Sequence, residues 1–396
     1  MAHTTAGTDA ATATDSGPAT DTDAGTDSVT GGETAARGDD RWSSASQRRL
    51  VWWKFRQHKL AMAGLVVTGL VYLIALFADV IAPFGTSTFD AEYTYAPPQR
   101  IHVDWGEGLY VHGYTSTVDE ETLQLSFEID ETQRIELGLF VKGEEYELFG
   151  LIPWDRHLIG PVDPDEPMYL MGGTRTGHDL FSRIVHGTRV SMTIGLVGVA
   201  MAFVLGVVLG GVSGYFGGRT DMAIQRLVEF FMSLPSIPLW LGLAAALPPG
   251  WGPMQRYFAI TTILAVIAWT DLARVVRGRF LSLRNEEFVT AALLDGCSRP
   301  RVIFRHMLPS FSSHLIASVT LSIPAMILAE TSLSFLGLGL QAPAVSWGVL
   351  LQDAQNVRVL STAPWLMLPG LCVIITVLAL NFVGDGLRDA ADPYKR

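Results

Sequence analysis

Lysine is nearly missing from this sequence. Four occur in 396 residues, at Lys54, Lys59, Lys142 and Lys395. Cysteine occurs only at Cys297 and Cys372, which excludes a disulfide framework or a cysteine-based metal site. Five of the nine histidines (His102, His112, His157, His178 and His186) fall in one stretch, but no pair has tight ligand spacing. They read as scattered surface histidines, so no metal is expected. There is no Gly-x-x-x-x-Gly-Lys-Ser/Thr and no Gly-Lys dipeptide, which excludes a P-loop nucleotide site. No nucleophile–base set or paired-carboxylate site is present, so no catalytic residue is assigned and the chain is expected not to be an enzyme. The residues after Met1 are polar, so no signal peptide is expected.

Apolar residues are plentiful, at 49% of the chain, and they come in long blocks. That pattern reads as a polytopic membrane protein. The net charge of −11 is unevenly spread. Residues 1–40 hold eight acids against one arginine, residues 79–188 hold 20 acids against six bases, and the remainder holds 11 acids against 21 bases. Acidic, lysine-poor solvated segments beside a basic membrane portion suggest a prokaryote from a high-salt habitat.

Residues 1–40 contain almost no apolar side chains and are expected to be a disordered acidic tail, because they cannot bury enough surface to offset ordering entropy. Residues 41–59 interleave six bases with Trp42, Trp52, Trp53 and Phe55 and read as a basic, aromatic interfacial helix; continuity with a span argues against nucleic acid. The first span is residues 60–78. Residues 79–188 form a long polar insertion, expected outside. Within it residues 122–149 alternate at period two, with Asp130–Glu131 and Lys142–Gly143 as turn candidates, so a small β-rich subdomain is expected. Further spans are expected at residues 190–218, 230–255, 257–278, 312–331 and 359–384. The glycines of the second allow close helix approach. Pro235 and Pro238 interrupt the third and either kink it along a path or only shape packing. Glu330, ionisable at span depth, is a candidate for substrate contact or gating. Six spans place both termini inside, together with the arginine-rich loop between spans four and five.

That loop, residues 284–309, reads as a helical hairpin. Gly296 can close the first helix with φ > 0. Ser298 can cap a second, with Pro300 in its first turn, and Pro309 marks where it bends or stops. Thr290, Ala291, Ala292, Gly296, Ile303, His306, Leu308 and Pro309 resemble the cytoplasmic Glu-Ala-Ala loop of binding-protein-dependent ABC importer permeases. Thr290 replaces the usual Glu, and Asp295 stands where an apolar residue is usual. A second set, Gly173, Thr174, Gly177, Asp179, Ser182, Arg183, Gly187, Arg189 and Ser191, is similar to the segment before the second span of dipeptide and oligopeptide permeases, with Arg175 and His178 departing from it. Bottom-up, this segment is a short amphipathic helix and a brace at the outer surface. A third set, Asn381, Gly384, Asp385, Leu387, Arg388, Asp389, Asp392 and Pro393, matches the family's closing motif. The resemblance covers residues 46–84 and 155–396.

What the resemblance implies is an all-α, six-helix type I permease fold, with the β-rich insertion between helices 1 and 2. The permease core would be residues 189–388 and the cytoplasmic tail residues 389–396. The chain would form half of a translocation pore with a second permease. It would bind no cofactor itself, since ATP is hydrolysed by two partner ATPase subunits coupled through loop 284–309. An extracytoplasmic binding protein would deliver di- or oligopeptides, nickel chelates or other small solutes. The alternative from another class is a stand-alone secondary transporter or channel, which would want charged mid-span residues or matched halves. Only Glu330 fits that, and no repeat is evident. A structural or sensory protein acting through its outer subdomain is a third reading.

Overall fold

The structure is a computed structural model. It describes residues 47–391, apart from residue 107 and residues 119–124. The expected acidic tail, the start of the interfacial helix and the end of the closing motif (Asp392 and Pro393) lie outside the described residues. Residues 1–50 form one unit, described only at the start of α1 (Gln47–Gln57); the account below concerns the second unit, residues 51–396.

The His58 imidazole accepts from the Ala61 N–H at 3.2 Å and starts α2 (Lys59–Leu76). Its uncharged residues include an exposed face at Val66, Leu70 and Leu73, while Ala61, Gly64, Thr68 and Ala75 are buried. A short α3 (Ala78–Ile81) follows. The next long helix, α4 (Leu180–Phe216), starts well before the uncharged run that announced it. Two features allow this. Asp179 caps its first turn, accepting from the N–H groups of Phe181 (3.3 Å) and Ser182 (2.7 Å). Arg189, a charge near the expected membrane edge, is held bidentately by Asp79 at 3.0 and 2.7 Å. At ~1.5 Å per residue this helix is about 55 Å long, more than the bilayer core requires.

The third apolar run does not form one helix. It gives α5 (Gly218–Ser233) and α6 (Ser236–Ala245), bent by 85° at Leu234 and Pro235. Proline lacks the N–H that would continue α5, and its ring disfavours helical geometry at Leu234, which is extended. Then come α7 (Pro253–Leu283), α8 (Glu287–Leu294), α9 (Arg299–Arg301), a π-helical stretch Val302–Met307, α10 (Leu308–Ser310) and α11 (Ser312–Phe335). The last run also starts later than its apolar composition suggests. After α12 (Trp347–Gln352), residues 357–362 form a separate short helix, α13 (Val357–Thr362), and α14 is Leu368–Ala391. Pro364 opens the 3-10 turn between them. Among the described residues, five helices are long and apolar enough to cross a membrane, and the bent α5–α6 pair makes six if it counts as one broken span.

The centre of the bundle is α4 packed against α7. Gly210 makes the closest approach: a Cβ there would lie 2.4 Å from the Ala273 carbonyl oxygen. In lipid, where apolar burial gives helices little mutual preference, this close backbone contact is what holds them.

The insertion is a four-stranded antiparallel sheet in the order β1 (His102–Asp104), β2 (Gly108–Val118), β3 (Leu125–Leu148), β4 (Ile152–Pro161). Neither turn candidate is a turn. Both lie inside β3, which runs unbroken for 24 residues, and both coincide with bulges. Asp130 spends its turn chemistry locally, accepting from the N–H and the hydroxyl of Thr132 while the register shifts opposite His112 and Gly113. The second bulge, between Lys142 and Tyr146, frees Glu144 to accept from the Gly85 N–H at 2.8 Å, tying the sheet to the chain after α3. The histidines are not all on the surface either. His157 is buried and its Nε2 meets the Glu144 carbonyl oxygen, while His186 packs at the membrane-side edge beside Asp79.

Candidate coupling hairpin and membrane cavity

Residues 284–309 form a compact hairpin with its own core. Glu286 is extended and opens α8. Gly296 ends it in the left-handed region, φ +77, and the Cys297 N–H bonds back to the Ala292 carbonyl at 3.0 Å. Ser298 occupies the capping position of α9 without a side-chain cap bond. Pro309 lies in the three-residue α10, after which Phe311 breaks the helix. Buried Val289, Ala292, Val302 and Met307 pack with Phe280 of α7 and with Phe311 and Leu315, so the hairpin is fastened to the facing ends of two long helices, the end of α7 and the start of α11. Of the predicted site residues, Thr290 and Ala291 are exposed, Ala292 is buried, Gly296 and Pro309 are exposed, and His306 is half-buried in the π-helical stretch. The two alanines therefore do not make one small face. The outward surface instead carries Phe288, Leu294 and Phe304 among Arg284, Arg299, Arg301 and Arg305. Exposed large apolar side chains together with arginines are the composition typical of protein-contact surfaces.

Just above the hairpin, Arg277 of α7 grips Asp221 at the start of α5, with contacts of 2.5 and 2.6 Å, and the Ser213 hydroxyl donates to the same carboxylate. One ion pair thus joins α4, α5 and α7. Arg226–Glu229 and Asp271–Arg274, each three residues apart on a helix, pair at 2.9 and 3.0 Å, both exposed.

A cavity of about 530 Å³ lies where α5 bends into α6, against α7 and α11. Its wall includes Phe231, Trp240, Ser318, Ser322 and Met326, and at its rim is Asp271. The Trp240 indole N–H is buried and has no hydrogen-bond partner among the described residues. Pro235 and Pro238 are exposed and outside the wall, although their neighbours Leu234 and Ser236 belong to it. Glu330 is fully buried next to it but also outside the wall. Its Oε1 accepts from the Ser334 and Ser346 hydroxyls at 2.7 and 2.8 Å, so it pins the loop after α11 back onto that helix. Sequence reading missed the cavity set. The signal was present: Ser318, Ser322, Ala325 and Ala329 recur on one face of α11 as small residues.

The start of α4 is braced by two segments distant in sequence. Trp347, the first residue of α12, donates its backbone N–H to Ser191 of α4 at 3.1 Å and its indole N–H to the Ile184 carbonyl. The Ser182 hydroxyl accepts from the Phe84 N–H. Burial, reinforced by the Arg183 charge, pushes His178 down to about 4, so it is neutral at ordinary pH.

Residues 206–396 match the family described as the binding-protein-dependent transport system inner membrane component, and residues 46–98 match the N-terminal transmembrane domain of oligopeptide transport permease C. The oligopeptide transport system permease protein OppC of Haemophilus influenzae is 37% identical over 243 residues, which is 61% of this chain and 76% of that protein. The chain belongs to this family of inner-membrane transport components, the permease subunits of ABC importers. It is also similar to OppC of Bacillus subtilis, 29% identical over 357 residues and covering 89% of this chain and 92% of that one. A structure of the MetNI methionine ABC transporter in an inward-facing conformation aligns at 17% identity and a TM-score of 0.42, covering 52% of this chain and 96% of that chain. A subunit of this family is a multi-pass membrane transport protein, not an enzyme; ATP hydrolysis takes place in separate subunits.

Proposed function

We propose that this chain forms one half of the pore of an importer for di- or oligopeptides, the solutes named for its relatives. The second half is another permease, two ATPase subunits dock below, and a binding protein delivers solute from outside. The chain itself binds no cofactor and no nucleic acid. The observation that carries the reading is the hairpin of residues 284–309: an internally packed unit with an exposed apolar and basic surface, rooted in α7 and α11. Thr290, Ala291 and Gly296 would form its contact edge, His306 and Pro309 its return arm, and Ala292 its packing. Movement of the docked ATPases would be passed on as a rigid-body shift of α7 and α11, two of the helices that wall the cavity. The cavity would be this subunit's share of the path, with the bend at Pro235 and Pro238 shaping it and Glu330 holding its outer loop. Counting the bent pair as one span gives six spans, a multi-pass location in the cell membrane and both termini in the cytoplasm, in accord with the arginine-rich hairpin. The acidic, lysine-poor appendages fit a saline habitat.

The reading is tested by co-purification. A tag on this chain, in mild detergent, is expected to recover an ATPase subunit and a second permease. Recovery of the chain alone from membranes that contain both would refute it.

A further inference from the structure

The turn that closes β3 onto β4 has the wrong chemistry for a solvated turn. It is held by bonds from the Gly150 N–H to the Glu147 carbonyl and from the Leu151 N–H to the Leu148 carbonyl, at 3.0 and 3.2 Å. Solvated turns of this size favour Gly, Asn, Asp and Ser. Here residues 148–154 read Leu-Phe-Gly-Leu-Ile-Pro-Trp, with no charge and no side-chain hydrogen-bonding group except the Trp154 indole. Phe149 is 53% exposed, Leu151 83%, Ile152 52% and Trp154 47%. Phe149 even takes φ +56, which an aromatic side chain adopts only when the surroundings hold it there.

The place of this turn is fixed by a ring contact. Phe149 meets Phe77 edge-on, with centroids 6.0 Å apart. Phe77 ends α2, and Val66, Leu70, Leu73 and Phe77 lie at i, i+4, i+7 and i+11, one face of that helix. All four are exposed, and in a membrane-spanning helix such a face meets lipid. The turn therefore continues the lipid-facing surface of the first span.

We propose that the turn at residues 149–154 is a membrane-interface anchor, seated at the headgroup–acyl boundary of the leaflet on the insertion's own side of the bilayer. Phe149, Leu151 and Ile152 supply the apolar contact. Trp154 suits the boundary itself, with its apolar ring inward and its N–H toward the headgroups. The anchor fixes the lower end of the 24-residue β3 at the membrane, and the opposite end, where Val118 pairs with Leu125, stands away from it. The partner is bulk lipid, and the inference does not depend on the solute transported.

The test uses the assembled complex in lipid nanodiscs. In a Cys297→Ser, Cys372→Ser background, Leu151→Cys is labelled with an environment-sensitive fluorophore, and Val118→Cys serves as the comparison. We expect Leu151→Cys to emit to the blue of Val118→Cys and to be quenched at least twofold by phospholipids carrying a nitroxide on the headgroup or high on the acyl chain. Emission matching Val118→Cys, without quenching, would overturn the anchor. So would blue emission that is unchanged in detergent and insensitive to nitroxide lipids, which would place the turn on another subunit. A blue shift that appears only on adding a binding protein would do the same. Trp154→Cys gives a second labelling site if Leu151→Cys does not assemble.

Discussion

Ala291 and Ala292 are neighbours on α8 and differ in exposure: Ala291 is exposed, while Ala292 is 7% exposed and packs among Val289, Val302 and Met307. Substitutions at the two should therefore fail differently. Ala292→Trp overfills a closed core at a cost of roughly 1–3 kcal/mol or more, so a lower melting temperature of the isolated subunit is expected. Ala291→Trp should leave that temperature unchanged and reduce recovery of the ATPase at least tenfold. Thermal unfolding and co-purification, measured on both variants, separate the outcomes. Equal melting temperatures would contradict the assigned packing.

Gly296 is needed for its backbone and not for its size. A Cβ there would meet nothing within 4 Å, yet φ is +77. A β-branched residue in this region costs ~1–3 kcal/mol, whereas Asn tolerates it. Gly296→Val should abolish uptake while membrane insertion persists, and Gly296→Asn should keep most of it. If both behaved alike in a transport assay, the positive φ would not be what matters.

Gly210 is the opposite case. Its missing Cβ would sit 2.4 Å from the Ala273 carbonyl, so even Gly210→Ala must push α4 from α7. We expect Gly210→Leu to prevent accumulation of a folded subunit and Gly210→Ala to lower its melting temperature by several degrees. Circular dichroism melts in detergent read this directly.

Glu330 accepts two hydroxyl hydrogen bonds through one oxygen. Gln keeps that acceptor and Ala does not, so Glu330→Gln should retain ATP-driven uptake and Glu330→Ala should lose it along with stability. A secondary transporter that titrates Glu330 would lose uptake with Glu330→Gln as well as with Glu330→Ala, since neither side chain ionises.

Much of this architecture is legible in the sequence because its signals are local. Uncharged runs mark most of the long helices, and Gly296 marks the hairpin. Period-two alternation marks the sheet. What stayed hidden depends on distant partners. The early start of α4 rests on Asp79, more than a hundred residues away, accepting from Arg189. The bulges in β3 use turn-forming residues, and only the strand opposite distinguishes a bulge from a turn. Hydropathy counts apolar residues without sensing direction, so it joined α5 and α6 across an 85° bend. At the hairpin the motif located the residues, but burial alone showed that Ala292 faces in while Phe288, Leu294 and Phe304 face out.

The central claim, that this subunit passes ATPase movement to a peptide path, is tested most directly by peptide uptake into proteoliposomes holding the reconstituted complex and its binding protein. The account predicts uptake that requires ATP, survives an uncoupler and is lost with Ala291→Trp while the complex components remain inserted. Uptake by this chain alone, unaffected by ATP removal and collapsed by the uncoupler, would contradict it.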